Sequence, residues 1–363
     1  MLKNIHIQNY RGIKDLKIND FKRINLLVGD NNSGKTSVLE AISIPSPNLI
    51  IFLGLIQLRE GGGIKTAPDG SSLVSSNFSK HCSQISRQFY NLNIEEPFVI
   101  EATFNDEKKL KLEARLTSEA KDFKQVFNIA AATEITEINS FVAEYSFEGD
   151  GDTLGLSSNG TGKFVGKKFA NLMQFFVSDT TPNKLEIFHN FTSIMPFSNR
   201  RREIVDYLKP FEPNLKDISQ VGGDDLFFDF EGDKAPISVS YMGSGFVRFL
   251  HLVLTIDKIC IENKEKNIIL SVDEIGFGLH YTKLQHLWKV LSKFLDKYKN
   301  VQIVTTTHSR EMIAALNKVC EEGAISKDDF TVFNIDKVGD KNYVNPYIGE
   351  DLQLRLNSGG EIR

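Results

Sequence analysis

The sequence predicts an α/β fold: a largely parallel sheet flanked by helices, with an antiparallel β subdomain and an inserted α+β region. Three observations carry this expectation. In the last third, apolar runs of strand length (Asn267 to Val272, Val301 to Thr306, Phe330 to Ile335) alternate with helical patterns over Phe246 to Ile261, Thr282 to Tyr298 and Arg310 to Val319. A parallel sheet covered on both faces reads this way. Residues 2–8 and 13–18 alternate in polarity, as do residues 97–116 on either side of Asn105-Asp106, which marks antiparallel pairs. Finally, the buried run Ile24 to Val28 enters a Gly/Asn/Ser loop, and helical spacing follows from Thr36 to Ile44 until Pro45 and Pro47 stop it.

Composition narrows the function classes. The 363 residues are 41% hydrophobic and 25% charged, ordinary for a globular protein with a sizeable core. A net charge of -4 and a pI of about 6.0 leave no global basic footprint for nucleic acid. A local patch is still open, with Arg200-Arg201-Arg202 as the candidate. Cys82, Cys260 and Cys320 are scattered, which argues against a disulfide framework or a zinc site and fits a reducing cytoplasm. The alternating N-terminus does not read as a secretory leader. Leu49 to Leu58, the most apolar stretch, falls far short of the roughly 20 residues that span a bilayer. It reads as a buried helix, so no membrane role is expected. Arg59 to Asn77, rich in Gly and Ser, reads as a mobile loop.

The strongest chemical signal is Gly29-Asp30-Asn31-Asn32-Ser33-Gly34-Lys35-Thr36, which matches G-x-x-x-x-G-K-[ST] at every fixed position. In such a loop backbone N–H groups wrap phosphates, and the following helix N-terminus favours negative charge. Lys35 is expected to reach the β and γ phosphates, and the Thr36 hydroxyl to bind Mg²⁺. With Ser37 on the first helical turn, Gly29 to Ser37 forms the expected cradle for ATP.

A second apolar strand, Ile268 to Val272, delivers two adjacent carboxylates, Asp273 and Glu274, at its carboxyl end. Ligands of parallel sheets gather at that edge. Asp273 is the expected magnesium partner of Thr36, and Glu274 the expected general base for an attacking water. A third strand, Val301 to Thr306, leads to His308, placed to sense the γ-phosphate. Lys35 and Asp273 stand far apart in the chain, so an insertion must leave and re-enter the nucleotide core. The expected division is 1–58, the first part of the ATPase core; 59–235, an inserted β-rich and helical region; and 236–363, the second part of the core.

Near the start of the second core segment, ahead of the strand Ile268 to Val272, lies Ser240-Tyr241-Met242-Gly243-Ser244-Gly245, with Arg248 three residues on. A small-residue loop opening a helix offers N–H groups and a favourable dipole to an anion.

Together these motifs resemble the bacterial AAA15/OLD-like ATPases, ABC-type P-loop heads related to the RecF and SMC heads. The likeness includes Ile7-Gln8-Asn9-Tyr10-Arg11-Gly12-Ile13, Asp273-Glu274-Ile275-Gly276-Phe277-Gly278-Leu279-His280-Tyr281, Thr307-His308-Ser309-Arg310-Glu311 and Gly359-Gly360-Glu361-Ile362-Arg363. It covers residues 1–45 and about 235–363; the middle matches loosely through Pro196 to Arg202. The loop at Gly243 lacks the family's usual Leu-Ser-Gly-Gly-Gln wording, and Gly276-Phe277 stands where Glu-Asn is frequent.

The resemblance implies an ATPase acting as a head-to-tail homodimer or a higher homo-oligomer. Gly243, Ser244 and Gly245 would then face the partner's nucleotide, and Arg11 would lie near the phosphates or base. The family's Q-loop glutamine has Gln57, Gln84 and Gln88 as candidates. Asp336, Asp340 and Asp351 read as solvated turn residues, so a C-terminal Toprim nuclease is not expected. Relatives without Toprim often act beside a separate effector protein in defence against phage, which makes a nucleotide-gated sensor or scaffold the first functional expectation. A DNA repair or recombination ATPase that binds DNA directly is the alternative. A nucleotide-binding assembly protein with very slow hydrolysis is a third reading.

Overall fold

The computed structural model describes residues 1–43, 88–93, 95–117, 140–147, 150–156, 162–165, 172–177, 184–195, 198–220, 223 and 225–357. The readings of Leu49 to Leu58, Arg59 to Asn77, Cys82, Gln57, Gln84 and Gly359 to Arg363 lie outside the described residues.

Two sheets sandwich the phosphate-loop helix. The core sheet contains β3 (Ile24–Val28), β9 (Leu172–Val177), β13 (Asn267–Val272), β14 (Val301–Thr306), β15 (Phe330–Val338) and β16 (Lys341–Tyr347), in the order β16-β15-β3-β14-β13-β9. All neighbours are parallel except the β15–β16 hairpin. β3 and β14 are buried at every position and β13 at all but its first, which is why their sequences are near-continuous apolar runs.

The second sheet is antiparallel. It contains β1 (Leu2–Tyr10), β2 (Ile13–Ile18), β4 (Phe98–Phe104), β5 (Lys109–Thr117), β6 (Ser140–Phe147), β7 (Asp150–Leu156) and β8 (Gly162–Val165), in the order β2-β1-β4-β5-β6-β7-β8. The alternation of β1 and β4 sends Ile5, Ile7, Phe98 and Ile100 to one apolar face. They share a core with Val38 and Leu39 of α1 (Lys35–Ser43) and with Ile269, Val304 and Phe333 of the core sheet. Gln302 ties the two sheets together: its side chain donates to the Leu2 carbonyl at 2.9 Å and accepts from the Leu2 N–H at 2.8 Å.

The expected single insertion over 59–235 needs a correction. β4 to β8 extend the sheet that β1 and β2 begin, and β9 pairs in parallel with β13 as a core strand. Backbone pairing holds these parts of the stretch to the core, and sequence distance gives no sign of it.

The other face of the core sheet is covered by helices. These are α2 (Lys184–Ile194), α3 (Ser198–Leu208), α4 (Ser244–Glu262), α5 (Leu284–Lys297) and α6 (Arg310–Glu321), with α7 (Gly349–Asn357) near the C-terminus. Helical spacing puts Leu284, Leu287, Trp288, Leu291, Phe294 and Leu295 of α5 on one buried face. Trp288 is fully buried and its indole N–H donates to the Met312 carbonyl at 3.1 Å, fixing α5 against α6. A small sheet of β10 (Leu215–Gln220), β11 (Leu226–Phe230) and β12 (Ile237–Ser238) leads the chain to the start of α4. No helix among the described residues is long and apolar enough to cross a membrane.

Two sequence readings shift. Asp336 lies on β15 and accepts from the Asn334 amide at 3.0 Å, and Asp351 lies on α7; only Asp340 is a turn residue. A short polar side chain looks the same on a strand, a helix or a turn, and here pairing decides.

Candidate active site

β3 ends at Val28 and the chain turns sharply into α1. Gly29 sits at φ +139°, and a Cβ there would lie 2.2 Å from the Ile335 carbonyl, so only glycine lets the loop pass β15. Asp30, Asn31 and Asn32 are exposed at the tip, Ser33 and Ser37 are buried, and Gly34 adopts φ +107°. The Lys35 ammonium donates to the carbonyls of Gly29 at 2.9 Å and Asp30 at 2.7 Å, inside the loop's own ring of backbone groups. Burial pulls the Lys35 pKa below that of a free lysine, while Glu274, Asp273 and Asp30 oppose the shift. Hairpin β15–β16 braces the loop, with the Asn342 amide donating to the Ser33 carbonyl at 2.9 Å.

Parallel pairing brings the carboxyl ends of β13 and β14 beside the loop. Thr36 Oγ1 lies 3.4 Å from Asp273 Oδ1, across 237 positions of sequence. Thr306, wholly buried at the end of β14, donates from its hydroxyl to the same Asp273 oxygen at 2.5 Å. Glu274 follows at φ +49°, a left-handed conformation that side chains rarely adopt. His308 Nε2 is 3.3 Å from Glu274 Oε1. The Ser309 hydroxyl, one residue on, accepts from the Met312 N–H at 3.1 Å and caps α6. Lys35, Thr36, Asp273, Glu274 and His308 thus meet at one sheet edge. The hydroxyl of Thr36 and the carboxylate of Asp273 form a hard oxygen pair, the donor type that Mg²⁺ accepts when phosphate and water complete its shell. Groups of three or more His, Cys, Asp or Glu side chains able to hold a metal are absent among the described residues.

Two other predicted groups pack on the elements that carry this cluster. Gly243 caps α4 without a side-chain hydrogen bond, and Gly243 and Ser244 are exposed. A Cβ on Gly245 would come within 2.6 Å of the Gly278 carbonyl, and Arg248 lies over the Phe277 ring at 4.5 Å. The start of α4 is therefore packed on the turn that follows Asp273-Glu274. Arg11, at φ +49°, pairs with the buried Glu40 of α1 at 2.9 Å and donates to the Tyr10 hydroxyl at 3.0 Å. Gln88 lies next to it, accepting from the Arg11 N–H at 2.7 Å.

The basic triple is corrected. Arg200 is tucked inward, paired with buried Asp257 at 2.9 Å and with Glu203 at 3.1 Å, and donating to the Tyr298 hydroxyl. Arg201 lies 3.3 Å from Asp217, and Arg202 is exposed. On a helix, adjacent residues point about 100° apart, so three consecutive arginines cannot form one charged face.

Sequence reasoning missed Thr306, Asn342 and Glu40. The run Thr305-Thr306-Thr307 at a strand end was a visible signal for the first. Asn342 sits in an unremarkable hairpin and Glu40 in an ordinary helical turn.

A phosphate loop joined by parallel strands to a carboxylate pair and a histidine, with an antiparallel sheet across the loop's helix, defines a P-loop ATPase head of the ABC type. The chain belongs to the AAA ATPase domain family, whose pattern it matches over residues 1–148 and 165–313. It is 24% identical to an "ATP/GTP phosphatase" of Helicobacter pylori, over 97% of each chain. A stretch covering 20% of the chain is 39% identical to 8% of the "DNA double-strand break repair Rad50 ATPase" of Archaeoglobus fulgidus. The Pyrococcus furiosus Smc head domain superposes over 98% of each chain with 10% identity and a TM-score of 0.48.

Proposed function

We propose that this ATPase binds ATP with Mg²⁺ at the Lys35–Asp273 cluster and hydrolyses it between two head-to-tail copies of the chain. The observation that carries the reading is the 3.4 Å approach of Thr36 Oγ1 to Asp273 Oδ1. Gly29 to Ser37 would cradle the phosphates, and Lys35 would neutralise the β and γ oxygens. Thr36 and Asp273 would hold Mg²⁺, which would offset the charge developing on the phosphates. Glu274 would take a proton from water as the water oxygen bonds to the γ phosphorus and ADP leaves with the bridging oxygen. His308, in contact with Glu274, would hydrogen-bond the γ-phosphate.

The exposed start of α4, which has no side-chain cap bond, suits the lid. Gly243, Ser244 and Gly245 of a second copy would present N–H groups to the γ-phosphate. Closure would then depend on nucleotide, which gives a cytoplasmic sensor or scaffold acting through a separate effector. A role in anti-phage defence rests on the resemblance of the motifs to the AAA15/OLD-like ATPases alone. Direct DNA binding loses its local argument, because Arg200 is committed to Asp257.

The test is phosphate release by the purified chain with Mg²⁺ and either ATP or GTP, both being named for the Helicobacter pylori relative, alongside light scattering with and without nucleotide. Release that is lost in Lys35→Ala and a dimer that forms only with ATP are expected. Turnover in Lys35→Ala equal to wild type would remove the site assignment, and a monomer with ATP bound would remove the lid.

A further inference from the structure

We infer that Thr306 is a positioning residue that sets the geometry of both acidic groups of the site. Three hydrogen bonds from this one residue hold three consecutive residues of the turn after β13. Its Oγ1 donates to Asp273 Oδ1 at 2.5 Å and accepts from the Glu274 N–H at 2.8 Å, and its carbonyl accepts from the Ile275 N–H at 3.2 Å. The hydroxyl has one proton and uses it on Asp273, so its direction is fixed. Thr306 itself is fully buried.

The arrangement does two things. It orients the Asp273 carboxylate by occupying one lone-pair direction of Oδ1, the oxygen that Thr36 also faces. It also clamps the backbone at Glu274, whose φ of +49° is costly for a side-chain-bearing residue and persists only when its neighbours hold it. Valine at 306 would keep the shape and the carbonyl contact, and would lose both hydroxyl bonds. Serine would keep both.

The inference rests on the proposed nucleotide site and is tested by a readout other than turnover. Binding of a fluorescent ATP analogue to the full chain is titrated against Mg²⁺ for wild type, Thr306→Ser, Thr306→Val and Thr306→Ala, with thermal melting as a fold check. A bond to a carboxylate in such a site corresponds to a change of about 10- to 100-fold. Thr306→Val and Thr306→Ala should raise the Mg²⁺ needed for half-maximal effect by about that factor and slow turnover similarly. Binding without Mg²⁺ should be unchanged, and Thr306→Ser should remain within about threefold of wild type by the same measure. A wild-type Mg²⁺ titration in any folded hydroxyl-less variant would overturn the inference. So would loss of fold in both Val and Ala with Ser intact, because the hydroxyl would then serve folding instead of the site. Failure of wild type to bind nucleotide at all would count against the proposed function itself, a distinguishable outcome.

Discussion

His308 Nε2 and Glu274 Oε1 lie 3.3 Å apart, joining through their side chains the segments that follow two neighbouring parallel strands. The histidine contacts the proposed general base directly, so a change in the proposed phosphate contact at His308 would be felt at Glu274. Glu274→Gln keeps size and hydrogen bonding but removes the base. Turnover should fall by about 10²- to 10⁴-fold with ATP affinity retained, and an ATP-held dimer should accumulate in size-exclusion chromatography. Wild-type turnover in that variant would reject the assignment.

Lys35 gives a pH dependence. Burial lowers its pKa from the ordinary 10.5, against the pull of Glu274, Asp273 and Asp30. The lysine is charged below its folded pKa, so nucleotide affinity should be lost as pH rises through a value under 10.5. Stability has the opposite sign. The folded state binds this proton less readily than the unfolded chain, so the penalty is fully present at low pH and relieved as pH climbs through the folded pKa. Melting curves of nucleotide-free wild type and Lys35→Met should therefore differ by an amount that moves in favour of wild type with rising pH. A difference independent of pH up to 10.5 would contradict this.

Arg200 and Asp257 form a buried pair whose side chains are 12% and 2% exposed. Burial raises the Asp257 pKa while Arg200 pulls it down. Removing only the arginine leaves an uncompensated carboxyl. Arg200→Ala should cost about 3–5 kcal/mol in denaturant unfolding, and adding Asp257→Ala should return part of it. A loss below about 1 kcal/mol, the range of surface pairs, would return Arg200 to the surface.

Gly245 packs its backbone on Gly278, where a Cβ would stand 2.6 Å from the carbonyl. Gly245→Ala must push the start of α4 off the turn after Glu274. At a repacking cost of about 1–3 kcal/mol, ATP-dependent dimerisation should weaken by about 5- to 100-fold. Nucleotide affinity of the single copy should be unchanged. Sedimentation with and without ATP, set beside analogue binding, separates the two. Equal loss of both would show that Gly245 serves its own chain's site.

Much of the site is readable because its pieces are contiguous. Gly29 to Thr36 is one unbroken segment whose neighbours, an apolar strand and a helix, are set by local spacing. The same holds for Asp273-Glu274 and His308, each placed at a strand's end by the apolar run before it. Position in a strand tells which end a residue occupies, and in a parallel sheet all such ends share an edge.

Local pattern does not name the neighbour. β9 reads as part of an insertion until its hydrogen bonds to β13 place it in the core. Thr306 reads as one threonine among three until its hydroxyl is found on Asp273, 33 positions away. Arg200 reads as one charge of a basic cluster until helix rotation turns it onto Asp257. Hydrophobic periodicity records how much of each element faces the interior. Which two faces meet is decided by the joint packing of distant segments, and hydrogen bonds between side chains exist only once that packing is made.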